Sequence, residues 1–598
     1  MSTDGHDFKP GRHFWLALAP VALLAMMVSL DGTSVSVALP IMAESLHGTA
    51  AEAFWTGTSF LLSSAVFQLP IGSLSETFGR MYTLAACTLL FLIGIIISSV
   101  SHNFTPMLLG RTIQGMGGGG IILLNDIVIT DLVPMRHRGT YFGIIGGVWA
   151  LGSVSGPVIG GALAYEASWR WLFWINIPFA AIALVMIPIY LRLKRTPGSV
   201  LEKLRSIDWI GSVLFIGATS SFLIPITWGG VQFPWESWHT LVPLLMGVAG
   251  MAAFCVYEKL VPSTPIIHLD LLRDYNMAYS LFAAIINAAI VYGALYFLPL
   301  YFEATKDYNP TVSGVALFPA TFTVAPMSII AGIVISKTGD FRVVTWVGWI
   351  LSTVGLGVMT LLDVDTSVVK WFFMTFTTGL GLGLLYTSLA IINQAATPSD
   401  DAMAIAIGLF IFARCLGQCL GVAMSGSVFQ NQMKAKLLKT ETLADKATEY
   451  SRDATSIVAL LGGMPDDERK RELIQAYADA LKIVWAVFAA LSGAAMLAGF
   501  FIKKVSLDRA HQTRQGLDAS DAEDSGNEEG GFGDRDADGR SEVTTAEKVE
   551  KVDAEEKHGD DIPPTPTTPT TPITAATTTT TLAEPNHRID TVEAKEHS

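Results

Sequence analysis

Fourteen stretches of this chain are too long and too apolar to serve as strands or surface helices of a water-soluble domain. They cover about 14–39, 54–73, 82–100, 105–131, 140–163, 171–192, 207–227, 239–259, 276–302, 311–336, 343–362, 369–395, 402–429 and 480–502. A helix crosses a bilayer with roughly 20 mostly apolar residues. In hydrocarbon each backbone N–H and C=O must find a partner, which for continuous apolar runs of this length means helices. The basic residues then orient the spans. Lys9 and Arg12 precede span 1, Arg80 follows span 2, Arg136 and Arg138 follow span 4, and Arg192, Lys194, Arg195, Lys203 and Arg205 follow span 6. Lys259 and Arg273 precede span 9, Lys337 and Arg342 precede span 11, and Lys503 and Lys504 follow span 14. The alternate loops are poor in Lys and Arg, so both termini are expected in the cytoplasm and the number of spans must be even.

Composition agrees, with 51% hydrophobic and 15% charged residues. The net charge of −14 belongs almost wholly to the C-terminal end: from Ser506 onward there are 22 acidic and 9 basic residues. This acidic, Pro- and Thr-rich segment lacks the apolar content to build a core and is expected to be disordered. Its Thr565, Thr568 and Thr571 each precede a proline, as phosphorylation sites often do. No basic patch suggests nucleic-acid binding. Cys87, Cys255, Cys415 and Cys419 lie in apolar runs and read as buried thiols, with no metal site and no cofactor expected. No Gly-x-x-x-x-Gly-Lys-Ser/Thr loop occurs, which excludes a P-loop ATP-driven pump, and no catalytic constellation suggests an enzyme.

Charges inside spans are costly and usually functional. Asp31 lies eight residues before Leu39 in span 1, and Arg111 six residues after Thr105 in span 4. At 1.5 Å per residue both sit ~9–12 Å below the outer surface, so they can pair. Arg414 lies ~18 Å into span 13, near the midplane, where it would hold an anionic group or pair with an acid elsewhere. Asp126 and Asp131, toward the cytoplasmic end of span 4, can pair with Arg80 or Arg136 in a gate. Gly72-Ser73-Leu74-Ser75-Glu76-Thr77-Phe78-Gly79-Arg80, between spans 2 and 3, allows a tight turn across which Glu76 and Arg80 can pair. The same glycine spacing recurs as Gly332 to Gly339, between spans 10 and 11, pointing to a duplicated bundle. Span 5 carries Gly152-Ser153-Val154-Ser155-Gly156-Pro157-Val158-Ile159-Gly160-Gly161, whose small residues permit close packing and whose proline makes a pliable hinge. Trp169 to Pro178 reads as an interfacial aromatic anchor.

Together these motifs resemble the major facilitator superfamily, specifically its fourteen-span drug:proton antiporter branch and the fungal toxin-efflux members within it. The turn after span 2 is similar to the superfamily's signature loop, with Glu76, Thr77 and Met81 replacing an acidic and two basic residues usual there. The Asp31, Arg111 and Gly152–Gly161 segments resemble motifs of the antiporter branch. The resemblance implies an all-α polytopic fold of two six-helix bundles rocking about a central cavity, with an inserted helix pair. The expected divisions are a cytoplasmic N-terminus (1–13), an N-terminal bundle (14–195), the inserted pair (196–265), a C-terminal bundle (266–504) with an outside loop at 431–478, and the tail (505–598).

It also implies proton-coupled efflux of small amphipathic compounds, with substrate, protons and the lipid bilayer as partners. Asp31 and Arg111 would couple protons, Glu76, Arg80 and Asp131 would gate, and Gly156, Pro157, Gly160 and Gly161 would form the hinge. Gln68, Gln114, Trp149, Asn287, Tyr292, Tyr386, Phe410, Arg414 and Gln418 are expected to line the cavity. Asn103-Phe104-Thr105 is a glycosylation sequon on an outside loop. The plasma membrane is the expected location, the vacuolar membrane the alternative. Rival readings are a carrier of basic amino acids or siderophores, and a non-transporting sensor that signals through the tail.

Overall fold

Each apolar run becomes a helical segment in the computed structural model, which describes residues 10–48, 50–193, 199–229, 233–261, 265–399, 402–440, 443–451 and 454–507. Residues 1–9, Lys194 and Arg195, and the tail from 508 with its Thr-Pro pairs, lie outside the described residues. The segments are α1 (Arg12–Ser45), α2 (Ala50–Phe78), α3 (Arg80–Ser99), α4 (Phe104–Leu132), α5 (Met135–Glu166), α6 (Trp171–Tyr190) and α7 (Trp209–Trp228). They continue as α8 (Trp238–Leu260), α9 (Tyr275–Lys306), α10 (Val312–Thr338), α11 (Arg342–Met359), α12 (Val368–Ala396), α13 (Met403–Leu437) and α14 (Glu468–Gly499). An isolated β-bridge joins Gly229 and Phe233.

Thirteen of these segments are long and apolar enough to cross a membrane, rather than the fourteen expected. The exception is α2, and its 29 residues show why. Thr56, Ser63, Ser64 and Gln68 are buried in protein rather than facing lipid. Ser64 donates 3.0 Å to the carbonyl of Gly115, and a Cβ on Gly119 would lie 2.3 Å from the carbonyl oxygen of Ser64. The glycines of α4 thus admit the backbone of α2, and polar side chains are satisfied within that seam. On the opposite side of α4, a Cβ on Gly117 would meet the backbone of α3 at Cys87, 2.5 Å away.

α10 also departs from a plain span. It is divided into Pro310–Ala316, Phe318–Thr321 and Val324–Thr338. Pro319 and Pro326 each withdraw an N–H from the ladder, which interrupts an α-helix. α5, by contrast, runs unbroken through Pro157.

Two halves emerge from the packing. In the first, α1 packs on α5 and α6, while α4 packs on α2 and α3. In the second, α9 packs on α12, α13 and α14, and α11 on α12 and α14. The halves meet along α5–α10 and α2–α13, and the α7–α8 pair packs chiefly on itself while touching α2 and α13. The repeated loops share a backbone device: Gly79 at φ 100° and Gly339 at φ 66° both take left-handed conformations that a side chain would strain. Arg342 then hydrogen-bonds Asp340 at 3.0 Å, holding that carboxyl below its ordinary value.

Three glycines of α5 form the seam with α1. A Cβ on Gly152 would lie 2.8 Å from Ser29 Oγ, on Gly156 2.0 Å from Thr33 Oγ1, and on Gly160 2.5 Å from the carbonyl oxygen of Ser34. Gly156→Ala is expected to lower the thermal midpoint in detergent, a loss of about 1–3 kcal/mol from overpacking. Gly217→Ala, where nothing lies within 4 Å of the added methyl, should leave the midpoint unchanged or higher.

Candidate functional site

The α1–α5 seam places Asp31 on the other side of α1, facing α4 and α6. There it is fully buried, as is Arg111, and Arg111 Nη1 lies 2.7 Å from Asp31 Oδ2. Gln114 Nε2 donates to Asp31 Oδ1 at 2.9 Å and Asn176 Nδ2 to the same oxygen at 3.3 Å. Arg111 also donates to Gln114 Oε1 at 2.8 Å and to the carbonyl of Thr56 at 3.0 Å. Its guanidinium lies 4.5 Å from the centre of the Phe60 ring, with Phe173 on another side. Helices α1, α2, α4 and α6 therefore converge on one neutral ion pair sealed from solvent. Burying such a pair is tolerable only when its remaining donors and acceptors are met.

Gln114, expected in the cavity, is spent inside this network. Asn176 was not singled out from sequence, although it is an amide within the apolar run of α6. Nor was Thr56, which contributes only its backbone.

The residues expected to gate, Glu76, Arg80 and Asp131, lie together at the basic-loop end of α2–α4. Arg80 Nε is 3.3 Å from Asp131 Oδ2, and Arg80 Nη1 donates to Ser75 Oγ at 2.8 Å. Glu76 borders a small crevice with Gly72, Pro265 and Ala404. The halves are closed against each other at this end. Arg136 donates to the carbonyl of Ser336 at 3.3 Å and Arg138 to Gln394 at 3.4 Å. A Cβ on Gly332 would lie 2.0 Å from the carbonyl oxygen of Gly139, so α5 and α10 touch backbone to backbone.

Above this floor, Gln68 of α2 donates to Cys415 Sγ of α13 at 3.3 Å. Arg414 lies over the Tyr386 ring at 4.1 Å and near Phe410 at 6.0 Å. Its charge acts on Asp126 of α4 and Tyr292 of α9. Asp126, Tyr292, Tyr386, Arg414 and Gln418 are all half-buried, although each sits within a packed helix. They lie on α4 of the first half and on α9, α12 and α13 of the second. Phe410 is buried, Asn287 is buried with its amide nitrogen unpartnered, and Trp149 is half-buried, its carbonyl accepting from Ser29. Asn103 is exposed, and its side chain caps α4 by accepting from the Thr105 amide at 3.2 Å. No group of three or more metal-ligating side chains occurs among the described residues.

The family model described as Major Facilitator Superfamily matches residues 21–422. The chain belongs to the major facilitator superfamily. This facilitator is 47% identical over 517 residues to "MFS transporter L2" of a Phoma species, covering 86% of each chain. It is 36% identical over 517 residues to "Efflux pump FUS6" of Gibberella moniliformis, covering 85% of this chain and 91% of that one. Among solved structures, the proton:xylose symporter XylE shares the fold at a TM-score of 0.55 and 11% identity, covering 84% of this chain and 98% of that one. The facilitator is thus a multi-pass membrane protein of a transporter family, built on two halves about a cleft.

The buried pair makes a stability prediction for the facilitator. Arg111→Leu alone strands Asp31 without its counter-ion and is expected to cost about 3–5 kcal/mol. The double variant Asp31→Asn/Arg111→Leu should regain most of that loss. Thermal melting followed by size-exclusion chromatography in detergent separates the two outcomes.

Proposed function

We propose that this facilitator is a proton-coupled exporter of small amphipathic organic compounds such as fungal secondary metabolites, acting at the plasma membrane with Asp31 as the proton carrier. The observation that carries this reading is the sealed Asp31–Arg111 pair. A carboxylate buried 2.7 Å from a guanidinium makes a neutral pair, and a proton on it would leave Arg111 without a full counter-charge. Protonation therefore favours a different arrangement of α1 and α4, which is what coupling requires.

The route from that change to the cleft is short. α1 rests on the glycine seam of α5 at Gly152, Gly156 and Gly160, and α5 in turn meets α10 across the cytoplasmic floor. Gly156, Pro157, Gly160 and Gly161 are the segment along which the halves would tilt, and Glu76, Arg80 and Asp131 the latch that holds the floor. Relatives named as efflux pumps support the outward direction of transport. Protons would reach Asp31 only when this seal opens, so uptake and conformational change are one event.

The test is proton flux in vesicles holding purified protein, with metabolites and drugs supplied on the cytoplasmic face. Substrate-dependent proton movement is expected in wild type and is expected to fall at least ~100-fold in Asp31→Asn, the loss of an essential proton-transfer group. If folded Asp31→Asn carries protons as well as wild type, Asp31 is not the carrier.

A further inference from the structure

Arg414 is the charge that proton coupling leaves unexplained. A guanidinium is not deprotonated in proteins, so a full positive charge stands permanently in the cleft at mid-depth. Among the described residues its close company is aromatic: Tyr386 at 4.1 Å and Phe410 at 6.0 Å, both on helices of the second half. Asp126 faces it from α4 of the first half, close enough to act on it through space but beyond ion-pair distance. The contrast with Arg111 is direct. Arg111 is sealed, touches its carboxylate and is met by further acceptors, whereas Arg414 is half-buried and, among the described residues, has no carboxylate in contact.

Such an arrangement is unfavourable for a purely structural arginine, because an incompletely paired cation at this depth loses solvation without recovering it in contact. It suits one that waits for a ligand. A planar guanidinium binds carboxylates through two parallel hydrogen bonds, and the half-buried Tyr386 ring adjoins it. Gln418, one helical turn beyond on the same face of α13, adds an amide donor and acceptor.

We propose that the facilitator's cargo is an organic anion, a carboxylate or acidic enolate carrying an apolar or aromatic body, held by Arg414 with its body beside Tyr386. Asp126 is the internal competitor for that cation. With the cleft empty, attraction between Asp126 and Arg414 draws the two halves together on the cytoplasmic side of the cleft. When the cargo's anion engages Arg414, that attraction is screened and α4 is freed from α13. The proposal rests on the cleft being the transport path, and it specifies the charge of what travels there.

The probe set is a series of aryl-alkyl carboxylic acids, each matched with its primary amide and with an amine of the same skeleton, assayed by proton flux in vesicles holding the full-length protein. Wild type is expected to respond to the acids at least ~10-fold better than to the amides, the equivalent of one well-made charged contact. Arg414→Gln should erase that preference, and Arg414→Lys should retain part of it. Asp126→Asn should lower the half-saturating concentration of the acids several-fold without creating a response to amines, a gain that a merely structural residue does not give. A wild type that responds equally to acids and amides, or best to amines, with Arg414→Gln unchanged, overturns the anionic cargo and leaves proton-coupled export standing. Absence of flux with every probe, from protein that remains monodisperse, counts against both readings.

Discussion

The Asp31–Arg111 contact is the constraint around which the first half is arranged. Two opposite charges removed from water each lose several kcal/mol of solvation, and the loss is recovered only if geometry and surrounding hydrogen bonds are nearly complete. Here they are: the carboxylate receives three donors and the guanidinium is met by Asp31, Gln114, the Thr56 carbonyl and the face of Phe60. Satisfying that set fixes the rotation of α1, α2, α4 and α6 about their axes. It also fixes which face of α1 is left for α5, and that face is the one the glycines receive.

Much of this was legible in the sequence because depth is a one-dimensional quantity. Counting residues from the outer ends of spans 1 and 4 put Asp31 and Arg111 at the same level, and opposite charges at one level inside a bundle have strong reason to meet. The order of the long helices, the glycine turn at Gly79 and its counterpart at Gly339 followed equally from spacing. What the count does not contain is azimuth. Gln114 lies three residues from Arg111, which places it on the Asp31 side rather than in the cleft, and only the rotation of α4 decides between those. Asn176 escaped attention because its flanking tryptophans dominate the segment. Asp126 and Arg414 lie on helices far apart in sequence, so their facing one another depends on how the two halves dock.

α2 and α10 show a second limit. Hydropathy measures what a helix would gain from lipid, but α2 spends its surface on protein. Its serines and Gln68 are matched by the glycines of α4 and by α13, so a segment embedded among helices is less apolar than one that faces acyl chains. In α10 the apolar count is ample, and it is the missing proline N–H groups that break the ladder.

In the proposed mechanism Arg111 and Arg414 would divide the work that a coupled carrier must do. A coupling site must be insulated, because a proton that leaks to the cleft does no work; Arg111 and Asp31 meet that condition by burial. A cargo site must be accessible and incomplete, because a fully satisfied cation has nothing to offer a ligand; Arg414, half-buried over the Tyr386 ring, would meet that condition. The two are joined mechanically through α4, which carries Arg111 on its outer portion and Asp126 nearer the cytoplasmic end. Any rotation or tilt of α4 that relieves an uncompensated Arg111 must also move Asp126 relative to Arg414. In the proposed mechanism a single rigid helix between an insulated pair and a half-buried cation would couple them without a relay of small side-chain movements.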